Sequence, residues 1–88
     1  MKTLALRTRS RTEFLDITAK VQAAVSELGM RSGTVTVFVP HTTAGVTINE
    51  NADPDVTADM AAGLEAFVPW SNRYRHAEGN SAAHIKAS

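Results

Sequence analysis

Three histidines are the residues of this chain best suited to chemistry. His41 follows a run of β-branched residues, His76 lies in a polar segment, and His84 lies in a short helical pattern. Imidazoles that converge in space are the usual ligands of zinc and similar metals, and they also act as general acids and bases near neutral pH. The spacing leaves three interpretations open: a shared metal site, a shared acid–base site, or unrelated surface residues.

A second polar cluster fills residues 49–55. It consists of Asn49, Glu50, Asn51, Asp53 and Asp55. A turn from a strand into a helix favours such residues for local hydrogen bonds and capping, which accounts for Asp53. Strand ends that lead into helices also bind ligands. We therefore interpret Asn49, Glu50, Asn51 and Asp55 as candidate substrate contacts.

Further groups suit an anion. Backbone N–H groups at the helix start near Asn80 can receive a phosphate. Lys86, Arg73 and Arg75 are the cations nearest to the histidines along the chain, and a phosphate is held well by such groups. We add Asn80 and Lys86 to the candidate substrate contacts, with ordinary solvated side chains as the alternative.

The elements that must position these residues follow from periodicity. Alternating apolar residues predict strands at 3–9, 10–17, 33–39 and 45–49, of which 33–39 is the strongest. Apolar residues at helical spacing predict a helix over 18–28, ended by the glycine at position 29.

Two more helices are predicted in the second half of the chain. Asp53 and Pro54 are a cap followed by proline at the first helical position, and Pro69 ends that helix. Asn80 or Ser81 caps a third helix that continues to Ser88.

Length and composition exclude several classes of protein. The chain has 88 residues, no cysteine and a formal charge of zero. These values predict one domain over residues 1–88 without disulfides, and they disfavour nucleic-acid partners. The apolar runs are too short for a membrane span, so we predict a cytoplasmic protein. A core this small needs support from a metal, a partner subunit or further sequence.

Two long segments resemble a known family. Residues 40–56 (PHTTAGVTINENADPDV) and 74–88 (YRHAEGNSAAHIKAS) are similar to the two signatures of the YjbQ-like family, which is associated with secondary thiamine-phosphate synthase activity. Family members continue past the position of Ser88 with further strands. We therefore expect the chain to lack the C-terminal third of such a protein.

The resemblance implies a fold and a function. The fold would be α+β, a mixed or antiparallel β-sheet sandwich flanked by helices, assembled as a homotrimer. The site would be built from His41, His76 and His84 near a subunit boundary, with zinc or magnesium as candidate metals. The activity would be that of a transferase that joins a pyrimidine diphosphate to a thiazole phosphate and releases pyrophosphate. The alternative is a non-catalytic trimeric module that binds a metal or an anion.

Overall fold

Three helices are the regular elements of the chain. A computed structural model describes all residues, Met1–Ser88, with α1 at Thr18–Glu27, α2 at Pro54–Phe67 and α3 at Ser81–Lys86. Each lies in a segment for which the sequence predicts a helix, so these three helices are confirmed, although α3 ends at Lys86 and not at Ser88. No helix combines the length and the apolar character that crossing a bilayer requires.

Local signals explain where α1 begins and ends. The Asp16 carboxylate accepts a hydrogen bond from the Thr18 N–H at 2.9 Å, which satisfies one of the donors at the helix start. Gly29 follows the helix with a φ of 68°, a left-handed conformation that glycine adopts without a Cβ clash. Its N–H donates to the Ser26 carbonyl at 3.0 Å. The predicted glycine stop is therefore confirmed.

The start of α2 is the clearest helix signal in the sequence. Asp53 is the N-cap, and its Oδ1 accepts from the Asp55 N–H at 2.9 Å. Pro54 occupies the first turn, where its missing N–H costs no helical hydrogen bond. The helix ends at Phe67, and Val68 precedes Pro69, a position that disfavours helical backbone.

The predicted β-sheet sandwich is wrong for this chain, because none of the four predicted strands forms. A strand needs a neighbouring strand for its backbone hydrogen bonds. Outside the helices, every backbone–backbone hydrogen bond joins residues at most four positions apart. The apolar side chains of the segments also stay largely in solvent, as at Val35, Val37 and the fully exposed Ile48. The alternating pattern indicates segments whose side chains could form one face of a sheet, but it does not indicate which other segment would pair with them.

The chain forms two compact units, Met1–Val37 and Phe38–Ser88. The first unit contains α1 and has no fully buried residue. The second contains α2 and α3, and its core consists of Val68, just after α2, and Ala82, in the first turn of α3. All three predicted site histidines therefore lie in the second unit.

An ion pair connects the first residues of the chain with the end of α1. Lys2 Nζ donates to Glu27 Oε2 at 2.6 Å, with both side chains substantially exposed. The hydrogen bond from Lys2, reinforced by the attraction of its charge, lowers the pKa of Glu27 below its ordinary value. The pair therefore stabilises the folded unit above the ordinary carboxyl range, and this contribution disappears as the pH falls through the folded pKa.

We predict that Lys2→Met raises the Glu27 pKa toward its ordinary value, because both favourable contributions to the carboxylate are removed. A carbon-13 NMR titration of the carboxyl groups measures this shift. Lys20→Met is the matched control, since Lys20 lines the same shallow depression as Glu27 but does not lower its pKa. An unchanged Glu27 pKa in Lys2→Met would show that the pair does not form in solution.

Candidate functional site

Two of the three predicted site histidines meet in the second unit. The rings of His76 and His84 lie with their centroids 5.3 Å apart and their planes at 78°, an edge-to-face arrangement. A tight turn brings them together: the Gly79 N–H donates to the His76 carbonyl at 3.1 Å, and Gly79 has a φ of 75°. The chain thus reverses between the loop that carries His76 and the helix that carries His84.

A backbone carbonyl fixes the chemical state of His84. Its Nδ1 lies 3.1 Å from the carbonyl oxygen of Thr42. A carbonyl can only accept, so this hydrogen bond requires a proton on Nδ1. In the neutral imidazole the lone pair is then on Nε2, which is the atom left to accept a proton or to bind a ligand. The same bond attaches α3 to the segment that contains His41.

His41 does not complete a three-histidine cluster. It is exposed and lies next to Thr42, whose carbonyl receives the His84 hydrogen bond. No group of three or more histidine, cysteine or acidic side chains is arranged to hold a metal ion. The donors present therefore do not fit the metal site that the resemblance implies, and we derive no chemistry through a metal.

The charge next to His76 depends on protonation. His76 Nε2 lies 3.8 Å from Glu78 Oε2, beyond normal hydrogen-bond distance. Both side chains are exposed, so the attraction is weak and present only when the imidazole is protonated. The His76 side chain therefore stays partly exposed and is not held by a hydrogen bond to Glu78.

The polar cluster at 49–55 makes local contacts. Glu50 Oε1 accepts from the N–H groups of Ala52 at 2.8 Å and Asp53 at 3.2 Å. The Asn49 amide donates to the sulfur of Met60 at 2.8 Å, which links the segment to α2. These bonds stabilise the approach to α2.

The other members of the cluster also lie at the start of α2. Asn51 Oδ1 accepts from the Thr57 hydroxyl at 3.4 Å, and the Asp55 N–H is held by the Asp53 cap. Capping is confirmed for Asp53, and the substrate contacts of Asn49, Glu50, Asn51 and Asp55 stay predictions.

Lys86 is held in an ion pair that the sequence did not indicate. Its side chain is only 8% exposed, and its Nζ lies 2.6 Å from Glu65 Oε2. Glu65 Oε1 accepts from the Trp70 N–H at 3.1 Å. Glu65 was not predicted as part of the site. One signal for it exists: a carboxylate in the last turn of α2 is unfavourable next to the negative end of the helix dipole, so a nearby cation stabilises it.

Asn80 begins α3 without capping it through its side chain. Its backbone carbonyl accepts from the N–H groups of Ala83 at 3.0 Å and His84 at 3.4 Å. Its Oδ1 is buried and has no hydrogen-bond partner, which costs about 1–3 kcal/mol for a group of this kind. Asn80 is therefore tied to His84 through its main chain, and its role as a substrate contact stays a prediction.

A glycine permits the close approach of the 42–45 segment to α3. A Cβ on Gly45 would lie 2.6 Å from the carbonyl oxygen of Ala87, closer than real Cβ atoms come to backbone. Gly45 and the Thr42 carbonyl thus both adjoin the helix that carries His84. The spacing between this segment and α3 depends on the missing side chain.

Comparison with known proteins places these residues in a family context. Residues 2–88 match the profile of the family described as UPF0047 protein YjbQ-like. The chain is 51% identical over 89 aligned positions to the UPF0047 protein YugU of Bacillus subtilis, covering 100% of this chain and 67% of that protein. It is 47% identical to the UPF0047 protein MJ1081 of Methanocaldococcus jannaschii, covering 94% of this chain and 60% of the relative.

Solved structures match as well. An uncharacterized conserved protein of the YjbQ/UPF0047 family from Clostridium acetobutylicum gives a TM-score of 0.88 at 55% identity, over 93% of this chain and 64% of that one. The conserved hypothetical protein TT1486 from Thermus thermophilus gives a TM-score of 0.70 at 44% identity, over 84% and 57%. The chain thus spans about two-thirds or less of the length of these relatives.

We predict that Gly45→Ala destabilises the second unit by about 1–3 kcal/mol, the usual cost of forcing extra atoms into a packed contact. Gly63→Ala is the matched control: nothing lies within 4 Å of its Cβ position in α2, so it should stabilise by about 0.5–1 kcal/mol through helix propensity. Urea unfolding followed by circular dichroism measures both. Equal stability of the two variants would contradict the close approach at Gly45.

Proposed function

This chain belongs to the UPF0047 YjbQ-like family, and we propose that its His76–His84 pair binds a phosphorylated small molecule. One observation carries the proposal: His84 donates through Nδ1 to the Thr42 carbonyl, so its Nε2 is left for a ligand beside a second imidazole. Two adjacent imidazoles offer hydrogen-bond donors to an anion when protonated and a base when neutral. Such a pair can bind a phosphate group and can stabilise it as a leaving group.

The specific reaction we propose is secondary thiamine-phosphate synthesis, which makes the protein a transferase. The ring nitrogen of a thiazole phosphate uses its lone pair to form a bond to the methylene carbon of a pyrimidine diphosphate. The carbon–oxygen bond to the diphosphate breaks, and its electron pair leaves with pyrophosphate. Protonated His76 and His84 would stabilise the charge that develops on the leaving group.

Other predicted residues and partners belong to the same proposal. His41 adjoins the Thr42 carbonyl, so we keep it as a candidate catalytic group. Arg73 and Arg75 are exposed near His76 in sequence and would add positive charge for a phosphate. The homotrimer and the cytoplasmic location predicted from the sequence remain proposals for the whole protein.

The test of activity supplies the pyrimidine diphosphate and the thiazole phosphate and measures thiamine phosphate by its fluorescent oxidation product. We predict that His84→Gln lowers kcat/KM at least about 100-fold, the usual contribution of a positioned acid or base. Lys20→Met, in the other unit, is the control and should retain full turnover. Undiminished turnover in His84→Gln would exclude a role for this histidine.

A binding experiment separates an anion ligand from a metal ligand, whereas the turnover assay separates the transferase from the non-catalytic alternative. Calorimetric titrations use inorganic phosphate and Zn²⁺ separately, with wild type and His84→Gln. The proposal predicts phosphate binding that His84→Gln weakens. Binding of one Zn²⁺ that His84→Gln abolishes, without phosphate binding or turnover, would instead favour the metal-binding module.

A further inference from the structure

We propose that the Glu65–Lys86 ion pair is a positioning element that holds His84 in its Nδ1–H form, so that Nε2 is the atom presented to a ligand. The inference rests on the proposed function of the His76–His84 pair. It assigns Lys86 a structural connection to the site in place of direct contact with substrate.

The burial of Lys86 is the first argument. Its side chain is 8% exposed, whereas that of Glu65 is 53% exposed. An ammonium group that is removed from water must be paired, because its lost hydration is otherwise not replaced. The 2.6 Å distance to Glu65 is that of a charge-assisted hydrogen bond. The positive charge of Lys86 is therefore engaged in the ion pair with Glu65 inside the protein.

The second argument is the position of Lys86 on α3. Lys86 and His84 are two residues apart, and side chains at this spacing project from different faces of a helix. Lys86 contacts α2 through Glu65, while His84 contacts the Thr42 carbonyl. The helix is thus attached on two sides, and releasing one side allows it to rotate away from the other.

The length of α3 makes these attachments decisive. A helix of six residues is not stable by itself in water. Ala82 is fully buried, but its methyl group is too small to prevent α3 from rotating about its own axis. The ion pair between the long Lys86 side chain and Glu65 restrains this rotation more strongly. Glu65 is itself held, because its other oxygen accepts from the Trp70 N–H at 3.1 Å.

The tautomer of His84 is the measurable consequence. Free neutral histidine favours the proton on Nε2, so a majority of the Nδ1–H form requires a fixed acceptor at Nδ1. Thr42 provides that acceptor only while α3 keeps its position. Loss of the Glu65–Lys86 pair should therefore convert His84 to the Nε2–H form.

The experiment is long-range proton–nitrogen-15 NMR of the histidine rings at about pH 9, well above the ordinary histidine pKa. Wild type should show His84 mainly as Nδ1–H. Lys86→Met should change it mainly to Nε2–H. In a separate calorimetric titration below the ordinary histidine pKa, where a protonated ring donates from Nε2, Lys86→Met should lower affinity for inorganic phosphate about tenfold. Lys86→Arg should restore the wild-type pattern, because a guanidinium group can replace the ammonium opposite Glu65. Lys20→Met is the control and should leave the pattern unchanged.

A second variant covers the case in which Lys86→Met fails to fold. Glu65→Gln keeps an acceptor for the Trp70 N–H but removes the charge, and it should also shift His84 toward Nε2–H. The inference is overturned if a folded Lys86→Met or Glu65→Gln keeps the Nδ1–H form, or if wild type lacks it. Weakened phosphate binding in Lys86→Met with an unchanged tautomer would make Lys86 a substrate contact and would also overturn it.

The tautomer is read without a ligand, so the two proposals fail separately. If phosphate binding and turnover are absent from wild type while the tautomer responds to Lys86→Met, the proposed function is wrong and the positioning role stands. If turnover depends on His84 while the tautomer does not respond to substitution of Lys86 or Glu65, the proposed function stands and the positioning role is wrong.

Discussion

The site depends on the attachment of a helix that is too short to exist alone. Six residues form fewer than two turns, so the position of α3 is determined by what it touches. Ala82 supplies the buried contact, Lys86 the ion pair to α2, and Gly45 the close approach to Ala87. His84 lies on this helix, so its hydrogen bond to the Thr42 carbonyl forms only while those contacts hold α3 in place.

Several carboxylates of the second unit are engaged in hydrogen bonds or an ion pair within the chain. Glu50 accepts from two backbone N–H groups, Asp53 caps α2, and Glu65 is paired with Lys86. Carboxylates that are engaged in this way repel an approaching anion less than free ones do. Glu78, 3.8 Å from His76, is the carboxylate with which the proposed phosphate ligand would compete.

Local signals could be predicted from the sequence, and contacts between distant residues could not. Asp53 and Pro54 specify the start of α2 because the cap and the proline act within three residues of each other. The pair formed by Glu65 and Lys86 joins residues 21 positions apart, and nothing in the local pattern of either reveals its partner. The three histidines were found from their residue type and from the family resemblance, but only His76 and His84 adjoin each other.

The failed prediction of the sheet has the same physical cause. Alternation at 33–39 reports which side chains could share a face, whereas a strand exists only when another backbone supplies hydrogen bonds. The turn at Gly79, the capped helix α2 and the attached helix α3 are enough to bring His76 to His84 without a single ladder hydrogen bond.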